Sequence, residues 1–348
     1  MRIILHIGTH KTGTTAIQKF CAVHRTRLRE AGLWYPDYDL IGAEGHYAHH
    51  HLAHAIAGLA TSRGGATDAK RYFTGLRRQA GADETVLISA EPFCRHVYPP
   101  VELSENEYPP GLRNETFQAR RRAYIARVRE AVGGDDCEVV VVLRRQDRCA
   151  ESMFKERIKG TGYAGTFNAF REAFSHRFRY FDQVSAWAAF FSKLHVLVYE
   201  DLAAQGDLVA GFFGALGVRV PADLAPALQT NISLNNDLIE YKRRLNGSGL
   251  DADRHYAVAE AMGADEFNND LVLDQGSTFW ETAEQQAAFL AGFEDQNAHV
   301  LERFTELKRN NLFPTMEIEP ARPYAGLSLE TSREIAARLA ALINGTRA

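Results

Sequence analysis

The chain of 348 residues is short of several things, and each shortage removes a class of protein. It has four cysteines, Cys21, Cys94, Cys137 and Cys149, and no C-x-x-C pair among them. That spacing fits a reducing compartment better than a disulfide framework. No apolar run reaches the roughly 18 residues that a membrane-spanning helix needs, so no membrane insertion is expected. The run from Ile3 to Ile7 that follows Met1-Arg2 ends at Gly8, which is too short for a signal peptide, and a cytoplasmic protein is the expectation. Excess positive charge is missing too: the formal net charge is −4. No global field therefore draws the molecule to nucleic acid or anionic lipid, and any anion it binds has to be held locally. Internal repeats, low-complexity tracts and a Pro/Gly/Ser-rich linker are all lacking.

What is present is ordinary globular material. Hydrophobic residues make up 45% and charged residues 24%, enough apolar surface to bury a large core. Four segments read as buried strands: Ile3 to Ile7, Thr85 to Ser89, Cys137 to Leu143 and Leu194 to Tyr199. Each is a short apolar or β-branched run without clean alternation, as required where both faces of a parallel sheet are covered. Between them lie helical patterns. One is carried by Ile17, Phe20, Cys21, His24 and Leu28 and stops at Gly32; another by Phe117, Tyr124, Ile125, Val128 and Val132. Strand–helix alternation of this kind implies an α/β fold with a mainly parallel sheet.

Beyond Leu202 the pattern turns helical, at Gly206 to Leu216, Asn235 to Leu245 and Thr282 to Leu307. These segments read as a helical cover on the sheet. The expected organisation is one domain over 1–314, with sheet and ligand loops in 1–202 and the cover in 203–314. A tail over 315–348 follows, in which Thr331-Ser-Arg-Glu334 has capping-box spacing ahead of a final helix.

The first strand runs into Gly8-Thr-His-Lys11-Thr12-Gly13-Thr14-Thr15 and then into a helix. Two glycines permit a tight turn, and the helix start aims unpaired N–H groups at it, which favours phosphate. The threonine hydroxyls are further candidate donors. A Walker A loop, G-x-x-x-x-G-K-[ST], has its lysine just after the second glycine. Here Thr14 stands in that place, and the lysine comes two residues before the glycine.

That arrangement resembles the 5′-phosphosulfate-binding loop of the sulfotransferases that use 3′-phosphoadenosine-5′-phosphosulfate (PAPS), whose K-[ST]-G-[ST]-[ST] follows the first strand. Lys11-Thr12-Gly13-Thr14-Thr15 agrees with it at every position. The same family carries an arginine at the end of a later strand and a serine eight residues on, both on the 3′-phosphate of PAPS. Val139 to Leu143 runs into Arg144, and Ser152 follows at that spacing (152 − 144 = 8). Arginine suits phosphate because its planar fork gives paired charged hydrogen bonds. Arg145 is an alternative to Arg144. Tyr199-Glu200-Asp201-Leu202 is similar to the family's Y-E-D-[LM] segment, in which the tyrosine lies near the adenosine. The R-K-G-x-x-G-D-W loop of the animal enzymes has no counterpart. Lys242-Arg243-Arg244 is either a substitute for its charge or an exposed helical face. The resemblance covers roughly residues 1–202 and is closer to the bacterial sulfotransferase-like branch.

What the resemblance implies is a P-loop-like three-layer fold and sulfonate transfer from PAPS to a hydroxyl, or less readily an amine, with no metal required. Lys11 would meet charge on the leaving phosphate. For the base, Glu91 stands just past the end of the Thr85 to Ser89 strand, where open α/β sheets bind ligands. Burial is expected to raise its pKa into a useful range. His46, His50 and His54 recur at four-residue spacing and are expected on one helix face, with His46 or His50 as alternative bases. No metal site is expected among them, since no Cys, Asp or Glu completes a ligand set. His6, His24 and His195 read as packed in or beside the core. Contacts to a small-molecule or glycan acceptor, or to a lipid, are expected from loops near 34–62 and 92–115, with Trp34, Tyr35 and Tyr38 either stacking on a sugar or closing the first helix. The competing classes are a P-loop nucleotide kinase and an inactive sulfotransferase fold used as a binding module.

Overall fold

The computed structural model describes residues 1–100, 115–225, 234–249, 252–264, 267, 271, 273–274, 276–314 and 322–345. In chain order, β1 (Arg2–His6) leads through the glycine loop into α1 (Thr14–Val23) and α2 (Arg25–Glu30). β2 (Leu33–Trp34), α3 (His50–Ile56), α4 (Ala66–Gln79), β3 (Thr85–Ser89), α5 (Pro92–Arg95) and α6 (Glu115–Val132) follow. The second half of the sheet comes from β4 (Cys137–Leu143), α7 (Gln146–Gly160), α8 (Phe167–Ala173), α9 (Tyr180–Ala188), β5 (Lys193–Val198) and α10 (Tyr199–Ala203). Then come α11 (Leu208–Ala215), α12 (Asn236–Asn246) and α13 (Ala252–Gly263), the helices Ala283–Ala291 and Glu294–Phe304, and a terminal helix Leu329–Gly345.

All five strands are parallel, in the order β2-β3-β1-β4-β5. Successive side chains of a strand point to opposite faces, and both faces are covered. Ile3, Leu5, Val139, Val141 and Leu143 pack with Tyr124, Ile125, Val128 and Trp187 on one side. Ile4, Val140 and Val142 pack with Ile17, Phe20, Phe212 and Phe213 on the other. This is a three-layer, P-loop-like α/β fold. A further apolar cluster joins Phe154 and Ile158 of α7 to Phe167, Phe170, Leu238, Ile239 and Trp280, the extra helical cover.

Several boundaries differ from the sequence reading. His24, at φ −107°, ends α1 and starts α2, so the pattern up to Gly32 is two helices. The stretch from Thr282 to Leu307 is likewise two, parted after Ala291 at Gly292 and Phe293. β2 is only two residues long, too short to leave a periodic signal. In the tail, Thr331 N donates to Ser328 Oγ at 3.0 Å and the helix begins at Leu329, so Ser328 is the cap and Thr331 to Glu334 lie within the helix.

Candidate active site

β1 sits between β3 and β4, so its carboxyl end opens where the chain turns to opposite sides of the sheet, the place where open α/β sheets bind ligands. Three strand ends converge there: the glycine loop after β1, Glu91 after β3 and Arg144 after β4. The loop is pinned to β4, with Val142 N donating to Gly8 O at 2.6 Å and Thr9 N to Val142 O at 2.9 Å.

Gly13 precedes α1 in the left-handed region, φ +76°, and a side chain there would run into Leu208 and close on the Tyr199 ring. Lys11 also has positive φ, +66°, and among the described residues its Nζ reaches only the exposed Glu156 carboxylate, at 3.4 Å. Thr12 and Thr14 are buried, and their hydroxyls donate inward to Thr9 O at 2.7 and 3.4 Å. They shape the loop, which corrects the expectation that all the threonine hydroxyls face a ligand. Thr15 is half-buried, and its hydroxyl is not part of that network.

Arg144 and Arg145 have separated roles. Arg144 Nη1 donates to Lys11 O at 3.0 Å, its guanidinium lies 4.9 Å from the Tyr199 ring centroid, and its buried Nε has no partner among the described residues. Arg145 instead binds Asp147 through Nε and Nη2, both at 2.8 Å. Asp147 is fully buried and also accepts from Gln286 Nε2 at 2.6 Å. Burial pushes the Asp147 carboxyl up, but the Arg145 hydrogen bonds and charge outweigh it and hold the group below its ordinary range. Ser152 lies in the second turn of α7, on the same face as Glu156 one turn later, the residue that touches Lys11. The structure thus brings Lys11, Gly13, Arg144 and Tyr199 together, with Ser152 on the adjoining helix face.

Glu91, 7% exposed, packs over Gly8 and accepts from His50 Nε2 at 2.7 Å and from Gln18 Nε2 at 3.2 Å. Burial pushes its carboxyl up, yet the hydrogen bond and charge of His50, with a smaller contribution from His10, overcome burial and hold it well below the ordinary carboxylate range. This reverses the expectation that burial would raise it. An ionised carboxylate only accepts, so His50 Nε2 is the donor of this hydrogen bond, and Nδ1 is the other nitrogen of the ring.

The histidines do not form one helical row. His46 precedes α3, and its Nδ1 is engaged with Ala48 O at 2.9 Å, while His50 and His54 lie on the helix. His46 and His50 are still neighbours, with ring centroids 5.9 Å apart. His54 Nδ1 meets His96 Nε2 at 2.8 Å, and Arg63 Nη1 donates to His51 Nε2 at 2.8 Å. Among the described residues, no three His, Cys, Asp or Glu side chains converge as a metal-ligand group.

Other readings change with burial. Trp34, Tyr35 and Tyr38 are in the core, and the two tyrosine hydroxyls donate to Tyr47 O at 2.7 Å and Ala48 O at 3.2 Å, so none is offered to a sugar. Lys242 is fully buried in the helical cover, donating to Asn246 Oδ1 and lying 3.2 Å from His255 Nδ1. Arg243 and Arg244 share Glu240. Lys242 is therefore not on an exposed face, whereas Arg244 is, with Glu240 as its partner. His6 is fully buried, while His24 and His195 are half-buried beside the core, His195 on Glu138 at 2.9 Å. Of the loop expected near 92–115, residues 101–114 lie outside the described residues.

Two site residues carried no sequence signal. Gln18 also donates to Ser89 O at 3.3 Å and so ties α1 to the end of β3. His10 is half-buried, and desolvation together with the charge of Arg95 lowers its pKa to about 3. A cavity of about 450 Å³ lies elsewhere, between Asp237, Asp274, Arg322 and Tyr324, and shares no residue with the glycine loop. A smaller one, about 30 Å³, adjoins the loop at Thr9 and His10. Of these two, the second is the relevant one, because it borders the glycine loop.

No protein-family model matches the chain. A curated, uncharacterised protein of Archaeoglobus fulgidus is 28% identical over 192 residues, or 52% of this chain and 50% of that protein. The chain thus matches about half the length of that relative. A solved sulfotransferase from Alicyclobacillus acidocaldarius is similar at 13% identity and TM-score 0.34, over 73% of this chain and 98% of that one. The sulfotransferase domain from the curacin biosynthetic pathway is similar at 12% identity and TM-score 0.36, over 84% of this chain and 97% of that one.

Proposed function

We propose that the chain is a PAPS-dependent sulfotransferase acting on a hydroxyl acceptor. The observation that carries this reading is the lysine-before-glycine loop at the central strand end, with Arg144 laid against it. The residues fit such a donor. Gly13 has no room for a side chain, Arg144 Nε is buried without a partner among the described residues, and Lys11 has only a distant, exposed counter-charge.

When bound, the phosphosulfate supplies a sulfonate whose bond to the phosphate oxygen breaks as an acceptor oxygen bonds to sulfur, leaving 3′,5′-adenosine bisphosphate. Lys11 and the N–H groups at the start of α1 stabilise the negative charge left on the 5′ side, a fixed electrostatic contribution. Arg144 and Ser152 hold the 3′-phosphate, and Tyr199 flanks the nucleoside. His50 takes the acceptor proton at Nδ1 while Glu91 fixes the ring and favours the imidazolium that forms. His46 lies behind His50, with its Nδ1 committed to the turn.

The test is binding of 3′,5′-adenosine bisphosphate without divalent metal. At a hundredfold excess over Kd such a ligand adds about 2.7 kcal/mol of stability, read as a clear rise in the thermal midpoint. Stabilisation by ATP with Mg²⁺, and none by the bisphosphate, would establish a nucleotide kinase instead.

A further inference from the structure

Beside the glycine loop, the cavity of about 30 Å³ is walled by Thr9 and His10, by α5 and α6, and by the start of α9. Arg95, Arg121 and Arg177 line it, and none of its lining side chains is acidic. Arg121 is 5% exposed. Among the described residues no carboxylate pairs with it, and its recorded contact is the face of Phe117, with the guanidinium 5.0 Å from the ring centroid. Burial lowers its pKa and outweighs the opposing influence of Cys94 and of the Asp182 carboxylate, which acts on it without pairing; Arg177 adds a smaller contribution in the direction of burial. His10 Nε2, fully buried at the same cavity, is without a partner among the described residues.

A buried guanidinium lacking a counter-ion is costly, because desolvation is not offset by an opposite charge. Arg177, half-buried, and Arg95, exposed, add positive charge at the edge of the same cavity. The arrangement is stable when an anion enters. The volume takes a small charged head group, about the size of a carboxylate, and not a whole substrate.

We propose that the acceptor is an anionic hydroxy compound, whose charged group is held in this cavity by Arg121 with Arg95 and Arg177. This specifies the acceptor class for the sulfonate-transfer reading and rests on it. The acceptor hydroxyl would then be presented toward His50 while the charged end stays fixed, so charge selects the substrate and the rest of the molecule projects outward.

Calorimetry with the wild-type protein saturated in 3′,5′-adenosine bisphosphate tests the site, using glycolate and its uncharged counterpart ethylene glycol as probes. Saturable binding of glycolate but not of the diol is expected, with affinity falling roughly tenfold or more in Arg121→Met, the loss of one charged hydrogen bond. Arg121→Met should fold, since it replaces an unpaired buried charge by an apolar side chain of similar length; Arg177→Gln gives the same readout independently. Equal glycolate binding in wild type and both variants, or equal binding of glycolate and the diol, overturns the proposal. So does abolition of glycolate binding by the bisphosphate, which would assign the cavity to the donor. If the bisphosphate fails to bind but glycolate binding depends on Arg121, the donor reading falls, and the acceptor class falls with it.

Discussion

His50 Nε2 lies 2.7 Å from Glu91 Oε2, and the carboxylate of that pair stays ionised. A base acting through the pair works at the imidazole, with the carboxylate as its positioning partner. His50→Ala should therefore lose most of kcat, read in steady-state assays at saturating donor. Glu91→Gln should lower kcat by about 10²-fold at least, because the ring loses the carboxylate that orients it. An active His50→Ala enzyme beside a dead Glu91→Gln enzyme would return the role of base to Glu91.

The neighbouring arginines should separate stability from binding. Arg144→Ala should weaken 3′,5′-adenosine bisphosphate binding by roughly 1.5–3 kcal/mol and leave the thermal midpoint of the free protein nearly unchanged. Arg145→Ala strands the buried Asp147 carboxylate and should destabilise the fold by about 3–5 kcal/mol. Calorimetry and denaturant melts on the two variants decide it; the reverse pattern would exchange their assignments.

Acid stability should depend on Glu138. Its carboxylate accepts from Arg2 at 2.7 Å, His195 at 2.9 Å and Lys193 at 3.1 Å, tying β1, β4 and β5 together. Burial pushes this group up, but those three partners outweigh it and lower its pKa from 4.5 to about 2. The stabilisation is complete above the unfolded value of 4.5 and is lost as pH falls toward 2. Glu138→Gln should thus be less stable than wild type at neutral pH, and the gap should close on acidification across that window. A gap that stays constant down to pH 2 would show that the ion cluster contributes nothing.

The sheet was legible because four of its strands are apolar runs long enough to register, whereas Leu33–Trp34 is not. The glycine loop was legible because a phosphate cradle needs a fixed order of strand, turn and helix. What sequence could not supply was the partner of each charge. Arg121 reads as one more polar residue on the basic stretch Arg120 to Arg122, and only the packing of α6 against α9 buries it. Glu91 and His50 are 41 positions apart, and their pairing depends on how α3 folds over the end of β3. Lys242 was misread for the same reason, since its burial is made by residues around 158 and 255.

The glycine loop does not hang from the end of β1. Through Thr9 N to Val142 O and Val142 N to Gly8 O, the hydrogen-bond ladder of the central strands continues into it. The Thr9 amide proton is therefore locked by the same cooperative unit as the sheet. In native-state hydrogen exchange, the Thr9 amide should exchange only through global unfolding, as slowly as those of Ile4 and Val140, and not through the local openings usual for surface loops. A ligand arriving at this cradle meets a surface whose shape was fixed when the chain folded.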